Sequence, residues 1–381
     1  MGSSASAPRV PIVESKHFAS VVAGIPDSAF AGITIAITGS SSGIGKEVAL
    51  VAAERGAARI FMLNRASTRA SAAHEAVRAK AQPSTTVETI DCDLQSFASV
   101  RTAAANLVAR AGPAGLHVLL LNAGVMACNE EATTDGYDVQ MQTNHLAHFL
   151  LARECMPALE KAANGPRGEA RVVSQSSGAR FGSRLEKKYF GKLGAPGSLG
   201  GNGKSIITWG GNWERYHQTK LANVVFTLAL HDRLQAAHSK ARACAPAPRA
   251  SRARRRRRLT ARSARAQVKA VVCEPGVAAT NLQNTTLDKG GMNAWEARFL
   301  APLYQSAEDG ALPALVACFA PDVRSADFAV PKGGLRGPPV MAAKAGVFAS
   351  PWMERACTHV PSRDLLWEAS EAAVGAFRIS K

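Results

Sequence analysis

Two residues that could exchange a proton stand four positions apart, Tyr216 and Lys220. The segment around them, 213–236, is predicted to be helical, and a spacing of four places both side chains on one face of a helix. A tyrosine has an ordinary pKa of about 10, and a cation one helical turn away favours the phenolate and lowers that pKa. The pair could therefore serve as a general acid or base. The alternative is that Tyr216 is a packing residue.

Reduction of a carbonyl needs a hydride on carbon and a proton on oxygen, and it gains from a hydroxyl that donates a hydrogen bond to that oxygen as charge develops. Ser176 and Ser177 follow an apolar run and could provide such a donor, or could merely cap the end of a strand. His145, His148 and His217 are expected to be structural. No metal-ligand spacing is found, so no metal is predicted.

A glycine-rich turn joins a β-branched run to a helical pattern, in the order strand, turn, helix. Glycines let a backbone approach a phosphate closely, and a helix N-terminus offers unpaired N–H groups and a partial positive charge. The turn is therefore a candidate phosphate site, and the alternative is an ordinary strand-to-helix turn. The residues predicted to contact the phosphates are Gly39, Ser41, Ser42, Gly43, Ile44 and Gly45.

Apolar segments alternate with helical patterns, which predicts an α/β fold with a doubly wound parallel sheet and helices on both faces. We expect a flexible arm over residues 1–30 and a single domain over 31–381. The predicted strands are 33–38, 59–63, 87–90, 117–121, 171–174 and 269–273. The predicted helices after the glycine turn are 67–81, 96–111, 136–163 and 213–236. Ligands bind beyond the carboxyl ends of such strands, where Arg65, Asp93, Asn122 and Ser177 all fall.

The composition is typical of a globular protein, with 381 residues of which 46% are hydrophobic and 20% are charged. The seven cysteines are odd in number and form no C-x-x-C pair, which indicates reduced thiols in a cytosol-like compartment. No apolar run reaches the length of a membrane span, and no secretory signal is present. A cytoplasmic location is therefore predicted, with an organelle or peripheral membrane association left open.

An arginine-rich insert, residues 241–267, contains ten arginines and no acidic residue, and it is predicted to be disordered. Removing those ten charges from the net charge of +17 leaves +7, so the rest of the chain is only moderately basic. The insert could be a nuclear-localisation or nucleic-acid patch, a solvated low-complexity segment, or a retained intron. Because no aromatic residue interleaves the arginines, a nucleic-acid partner is not favoured.

Read together and in chain order, these motifs resemble the short-chain dehydrogenase/reductase family. Asn144-His145-Leu146 and Lys220-Leu221-Ala222-Asn223 are most similar to the branch of retinol dehydrogenases, WW-domain oxidoreductases and protochlorophyllide reductases. The resemblance covers about residues 33–285 and implies a Rossmann-type NAD(P)-binding fold. The motifs are Thr38-Gly39-x-x-x-Gly43-Ile44-Gly45, Asp93-Leu94, Asn122-Ala123-Gly124, Asn144, Ser177, Tyr216-x-x-x-Lys220, and Pro275-Gly276 with Thr280.

The resemblance also implies roles for individual residues. Ser177 is preferred to Ser176 because the family's serine is normally the second of the pair. Lys220 would also hold the nicotinamide ribose, and Asn144 would keep a water in the proton relay. The implied catalytic set is Asn144, Ser177, Tyr216 and Lys220. The implied cofactor contacts, besides the glycine turn, are Asn64, Arg65, Asp93, Leu94, Asn122, Ala123, Gly124, Tyr216, Lys220, Pro275, Gly276 and Thr280, with Asp93 at the adenine.

The choice of cofactor depends on the end of the second strand. An acidic residue there binds the 2′-hydroxyl of NAD, whereas a nearby arginine accepts the 2′-phosphate of NADP. This chain has Asn64-Arg65 at that point, and a guanidinium can bind a phosphate in a bidentate manner. NADP(H) is therefore the predicted cofactor.

A long segment, residues 178–212, joins Ser177 to the helix of Tyr216 and is predicted to line a substrate pocket together with the segment after Thr280. Its apolar side chains are Phe181, Tyr189, Phe190, Ile206, Ile207 and Trp209. The predicted activity is interconversion of a carbonyl and an alcohol on a small lipophilic substrate, and a homodimer is left open. The alternatives are a light-driven protochlorophyllide reductase, disfavoured because Ala222 stands where those enzymes carry a cysteine, and a non-catalytic scaffold that binds nucleic acid through the arginine-rich insert.

Overall fold

The computed structural model describes residues 11–202, 210–244, 267–288, 301–342 and 351–379. Three predicted pocket residues, Ile206, Ile207 and Trp209, lie outside these ranges. So do residues 245–266 of the arginine-rich insert and the first ten residues of the predicted arm.

The described chain forms one eight-stranded sheet in the order β3-β2-β1-β4-β5-β6-β7-β8. All neighbouring strands are parallel except β7 and β8, which are antiparallel. This confirms the predicted doubly wound α/β fold. The strands are β1 Thr34–Thr38, β2 Arg59–Asn64, β3 Thr86–Asp91, β4 Val118–Leu121, β5 Glu169–Gln175, β6 Gln267–Cys273, β7 Phe328–Pro331 and β8 Pro339–Met341.

Helices cover both faces of the sheet. One face packs against α4, α6, α7 and α11, and the other packs against α1, α2, α3 and α9. None of the helices in the described ranges combines the length and the apolar character needed to cross a bilayer. The helices are α1 Phe18–Gly24, α2 Gly43–Glu54, α3 Thr68–Lys80, α4 Phe97–Ala111, α5 Val139–Met141, α6 Ala147–Ala163, α7 Gly211–Cys244, α8 Asn281–Asp288, α9 Ala307–Phe319, α10 Pro351–Thr358 and α11 Val360–Val374.

The central strands are apolar throughout because both of their faces are buried. In β1, Ala36 belongs to the core under α4 and α6, whereas Ile35 and Ile37 belong to the core under α2 and α9. Successive side chains of a strand point to opposite faces, so a strand covered on both sides needs a continuous apolar run. The strand order reverses between β1 and β4, and the crevice at such a switch point is where ligands bind.

The predicted arm differs from the structure between Ser15 and Phe30. The side chain of Asp309, at the start of α9, accepts hydrogen bonds from Ser15 Oγ, Lys16 N and His17 N at 2.8–3.0 Å. Phe30 is fully buried and stacks on Phe319, with 4.3 Å between ring centroids. This segment is therefore attached to the domain, because its scattered apolar residues find partners on α9 that no local period reveals.

The helix predicted over 136–163 is divided into two α-helices. A π-helical turn, Gln142–Leu146, separates α5 from α6. Such turns interrupt the regular hydrogen-bond ladder and occur frequently at functional sites. The turn contains Asn144, one of the predicted catalytic residues.

Candidate active site

The turn after β1 has room only for glycine at two of its positions. Gly39 has a φ of +68°, and a Cβ there would lie 2.8 Å from the Cα of Ala123. A Cβ on Gly45 would lie 2.6 Å from both Asn122 Nδ2 and the carbonyl oxygen of Gly39. Both distances are below any real Cβ contact, so the turn must lie directly against the tip of β4.

The first turn of α2 offers its N–H groups to the space above the sheet. Ser67 Oγ accepts a hydrogen bond from Ala70 N at the start of α3, and Ser96 Oγ accepts one from Ser99 N at the start of α4. Ser42, at the same position before α2, makes no such side-chain bond within the described structure. An uncapped N-terminus beside a glycine turn suits the pyrophosphate of a dinucleotide.

A cavity of about 550 Å³ lies above the carboxyl ends of the strands. This volume is in the range of small-molecule and cofactor sites. Most of the predicted site residues line it, namely Gly39, Ser41, Ser42, Gly43, Ile44, Asn64, Arg65, Asp93, Leu94, Asn122, Ala123, Gly124, Tyr216, Lys220 and Thr280. The cavity lining does not include Gly45, Asn144, Ser177, Pro275 or Gly276.

Tyr216 and Lys220 lie on α7 where it passes the end of β5. The Lys220 ammonium is 5.7 Å from the centroid of the Tyr216 ring and donates a hydrogen bond to the carbonyl oxygen of Gln175 at 3.2 Å. The side chain of Ser177 lies near the Tyr216 phenol, where it acts to lower the pKa of Tyr216. Ser176 instead donates its hydroxyl to the carbonyl oxygen of Lys220 at 2.8 Å. The buried Ser176 therefore ties β5 to α7, whereas Ser177 lies beside the phenol.

Asn144 is placed by bonds to two neighbouring segments. Its side chain accepts from Val125 N at 2.8 Å and donates to Val125 O at 2.9 Å, as a paired strand residue would. It also donates to Thr219 Oγ1 on α7 at 2.9 Å. A Cβ on Gly124 would lie 3.2 Å from Asn144 Oδ1 and 3.5 Å from Lys220 Nζ, so Asn144 lies directly behind Gly124 and Lys220, which line the cavity.

Comparisons with known proteins agree with this geometry. Residues 33–186 match the family model described as short chain dehydrogenase. Retinol dehydrogenase 12 of Mus musculus is 34% identical over 204 residues, which cover 54% of this chain and 57% of that protein. An uncharacterized oxidoreductase of Schizosaccharomyces pombe is 32% identical over 212 residues, which cover 55% of this chain and 58% of that protein.

The crystal structure of an uncharacterized protein from Mycobacterium paratuberculosis has a TM-score of 0.61 at 27% identity, covering 94% of this chain and 98% of that chain. Over residues 33–186 the chain thus matches the short-chain dehydrogenase/reductase family. As predicted, its relatives include retinol dehydrogenases. The chain spans somewhat more than half the length of the curated relatives that it matches.

The protonation states of the site residues are set mainly by burial. Burial raises the pKa of Tyr216 well above its ordinary value, and the Ser177 side chain opposes this. Burial lowers the pKa of Lys220 from 10.5 to about 8. The expected lowering of the tyrosine pKa by Lys220 is not what the structure shows, because desolvation of the phenolate is the larger effect and has the opposite sign.

Pro275 and Gly276, two of the predicted cofactor contacts, lie outside the cavity and support its wall. Gly276 has a φ of +63°, and a Cβ there would lie 2.2 Å from the carbonyl oxygen of Leu335. Gln305 Nε2 donates to the carbonyl oxygen of Pro275 at 2.6 Å. The Pro275-Gly276 pair therefore packs against residues outside the cavity and directs the chain towards Thr280, which does line it.

The predicted pocket wall is wrong for Tyr189 and Phe190. Both are buried in the core beneath α4 and α6, and Phe190 meets the ring of His145 edge-on at 5.6 Å. Their rings fill part of this core because the segment 178–212, which carries them, folds back over the π turn. Phe181 is half-buried and packs on His217, with 5.2 Å between ring centroids.

A small apolar cluster lies next to Tyr216 and was not predicted as a unit, although its Leu282 lies in the segment after Thr280 that was predicted to line the pocket. The Trp213 ring meets the Tyr216 ring edge-on at 5.8 Å, and Met126, Ala127, Ala179 and Leu282 pack with them. Met126 and Leu282 also line the cavity. These residues come from four distant segments, so no sequence pattern joins them. Arg69, which lines the cavity as well, could have been found because it lies in the first turn of the helix that follows Arg65.

Proposed function

We propose that the protein is an NADP(H)-dependent oxidoreductase that interconverts a carbonyl and an alcohol on a small lipophilic substrate. The observation that carries the proposal is that Tyr216 and Lys220 line the same cavity as the glycine turn. A hydride donor held by that turn and a proton donor held by α7 would thus meet at one place.

The residues around the cavity fit the implied cofactor. The positive φ of Gly39, the uncapped start of α2 and the glycine required at position 45 leave space and N–H donors for a pyrophosphate. When bound, the cofactor supplies or accepts the hydride. We assign Lys220 and the β4 tip to its nicotinamide half and Arg65 to its 2′-phosphate.

The proton chemistry follows from the side chains alone. Because burial holds Tyr216 in its neutral form, its hydroxyl is a proton donor at neutral pH, which suits carbonyl reduction. The Ser177 hydroxyl can donate a hydrogen bond to the substrate oxygen as negative charge develops on it. The Lys220 ammonium then stabilises the phenolate that remains after the proton has left.

The substrate class follows from the apolar cluster next to Tyr216. Met126 and Leu282 line the cavity with thioether and aliphatic surface, and the buried Trp213 packs with them against Tyr216. Such a wall stabilises an apolar substrate by removing its surface from water. Retinol dehydrogenase 12 is among the relatives, which is consistent with a lipophilic alcohol or aldehyde.

The proposal is tested with a panel of retinoid, steroid and aliphatic aldehydes and ketones assayed with NADPH. At least one member should be reduced, and Tyr216→Phe should lower kcat by about a thousandfold or more, since the proton donor is lost. The same variant should bind NADPH nearly as well as the wild type does. Near-normal turnover in Tyr216→Phe would refute the assigned mechanism.

A further inference from the structure

Two fully enclosed histidines lie in or next to the π turn, and their partners differ. His145 Nε2 lies 2.9 Å from Ser370 Oγ on α11, away from the cavity. His148 lies between Thr38, the last residue of β1, and Asn144. His145 is 1% exposed and His148 is 3% exposed, as expected of residues that were predicted to be structural.

The hydrogen bonds of His148 can be assigned by elimination. Its Nδ1 lies 3.1 Å from the carbonyl oxygen of Asn144, which can only accept, so Nδ1 carries the proton. Burial lowers the pKa of His148 to about 4, so the ring is neutral and Nε2 is an acceptor. The Thr38 hydroxyl, 2.9 Å away, therefore donates to Nε2.

The orientation of the Thr38 hydroxyl matters because its oxygen holds the tip of β4. Thr38 Oγ1 accepts hydrogen bonds from Asn122 N and Ala123 N, each at 3.0 Å. Both of these residues line the cavity. The other acceptor near the hydroxyl, the carbonyl oxygen of Leu120, is 3.4 Å away and gives a weaker bond.

We propose that His148 is a positioning residue. Its neutral ring connects the Thr38 hydroxyl to the Asn144 carbonyl, and it thereby holds the tip of β4, which faces the cofactor, and the relay residue Asn144 in one geometry. The inference rests on the proposed function. The connection runs from the glycine turn through β4 to the π turn, and Asn144 continues it to α7 through Thr219. A shift of the order of 1 Å at such a site can cost about a hundredfold in rate.

The test compares His148→Phe with His145→Phe, a matched control in the same core. His148→Phe should raise the Kd for NADPH by about tenfold, measured by the fluorescence of bound NADPH, and should lower kcat by about tenfold or more. His145→Phe should lower the melting temperature by a similar amount but leave Kd and kcat within about threefold of wild type, since it loses only the bond to Ser370.

Equal Kd and kcat in the two variants would overturn the inference. A wild-type protein that binds no NADPH would instead refute the proposed function, and the two failures are thus distinguishable.

If His148→Phe does not fold, Thr38→Val tests the other end of the connection, because it removes the hydroxyl and keeps the shape of the side chain. Thr38→Val should then raise the Kd for NADPH, and Thr38→Ser should recover most of the loss. A Kd for Thr38→Val equal to that of wild type would contradict the inference.

Discussion

At the residue scale, the side chains at the end of β2 are the ones that would contact the adenosine half of a bound dinucleotide. Arg65 and Arg69 are both exposed and line the cavity, and no carboxylate stands at Asn64-Arg65. Asn64 is occupied elsewhere, since its Nδ2 donates to Ser40 Oγ at 3.0 Å. The guanidinium of Arg65 is thus the group at this strand end that is suited to a 2′-phosphate.

Arg65→Ala should weaken the binding of NADPH by about 1.5–3 kcal/mol, because a charge-assisted contact to phosphate is lost. The binding of NADH should change little, since NADH carries no 2′-phosphate. Calorimetric titration of both cofactors measures the difference, with Arg78→Ala as the control, an arginine further along α3 that pairs with Glu75. An equal loss for NADH and NADPH would contradict the assignment to the 2′-phosphate.

Lys220 gives the site a pH dependence whose sign can be worked out. Its pKa is lowered to about 8, so the ammonium is present below that pH and is lost as the pH rises through it. The rate of carbonyl reduction should therefore fall above pH 8, because an uncharged amine cannot stabilise the Tyr216 phenolate. In a kcat/KM profile, Lys220→Arg should shift this fall to higher pH, since a guanidinium stays charged. A fall at the same pH in both proteins would show that another group is titrating.

At the element scale, α7 is anchored by a buried arginine immediately before the candidate catalytic tyrosine. Arg215 is 1% exposed and lies 3.4 Å from Glu130 and 3.3 Å from Asp138. Its guanidinium also donates to the carbonyl oxygens of Cys128 and Gly201 at 2.9–3.0 Å. These bonds fix both the later part of the segment 178–212, at Gly201, and the angle at which α7 presents Tyr216.

Arg215→Met should destabilise the fold by about 3–5 kcal/mol, because it leaves buried carboxylates without their cation. Arg233→Met, on the same helix, should cost about 1 kcal/mol or less, since Arg233 pairs with the exposed Asp364. Urea unfolding of the two variants measures both values. Similar losses in the two would mean that the buried cluster contributes no more than a surface pair.

At the scale of the whole molecule, the domain extends further than its motifs. The segment from Ser15 to Phe30 is bound to α9, and the C-terminal helix α11 reaches the π turn through Ser370 and His145. Trp367 of α11 packs edge-on against Phe149 of α6 at 5.0 Å. Both chain ends therefore contribute to the two cores that hold the sheet. The first four residues of the arginine-rich insert, 241–244, belong to α7, so the predicted disorder is wrong there. Sequencing of the transcript between Lys240 and Val268 would establish whether the insert is part of the protein.

The sequence by itself determined the fold class and most of the cavity. Continuous apolar runs are needed wherever a strand is covered on both faces, and glycines are needed where β1 turns against β4. Both constraints act on neighbouring residues, so they can be recognised in the sequence. The same holds for Tyr216 and Lys220, whose spacing of four follows from the helical period alone. Six strands were placed within a few residues, whereas β7 and β8 were missed because they are short and pair with distant segments.

Only the tertiary structure decided which neighbouring residues do what. It gave Ser176 and Ser177 different surroundings, since the Ser176 hydroxyl binds the carbonyl oxygen of Lys220 on α7, although the two serines are identical and adjacent. It also assigned Tyr189 and Phe190 to the core and gave His145 and His148 different partners. The physical reason is that a hydrogen bond or an apolar contact depends on where a second, distant segment lies. A single sequence shows one residue of such a contact but does not specify which distant residue it meets.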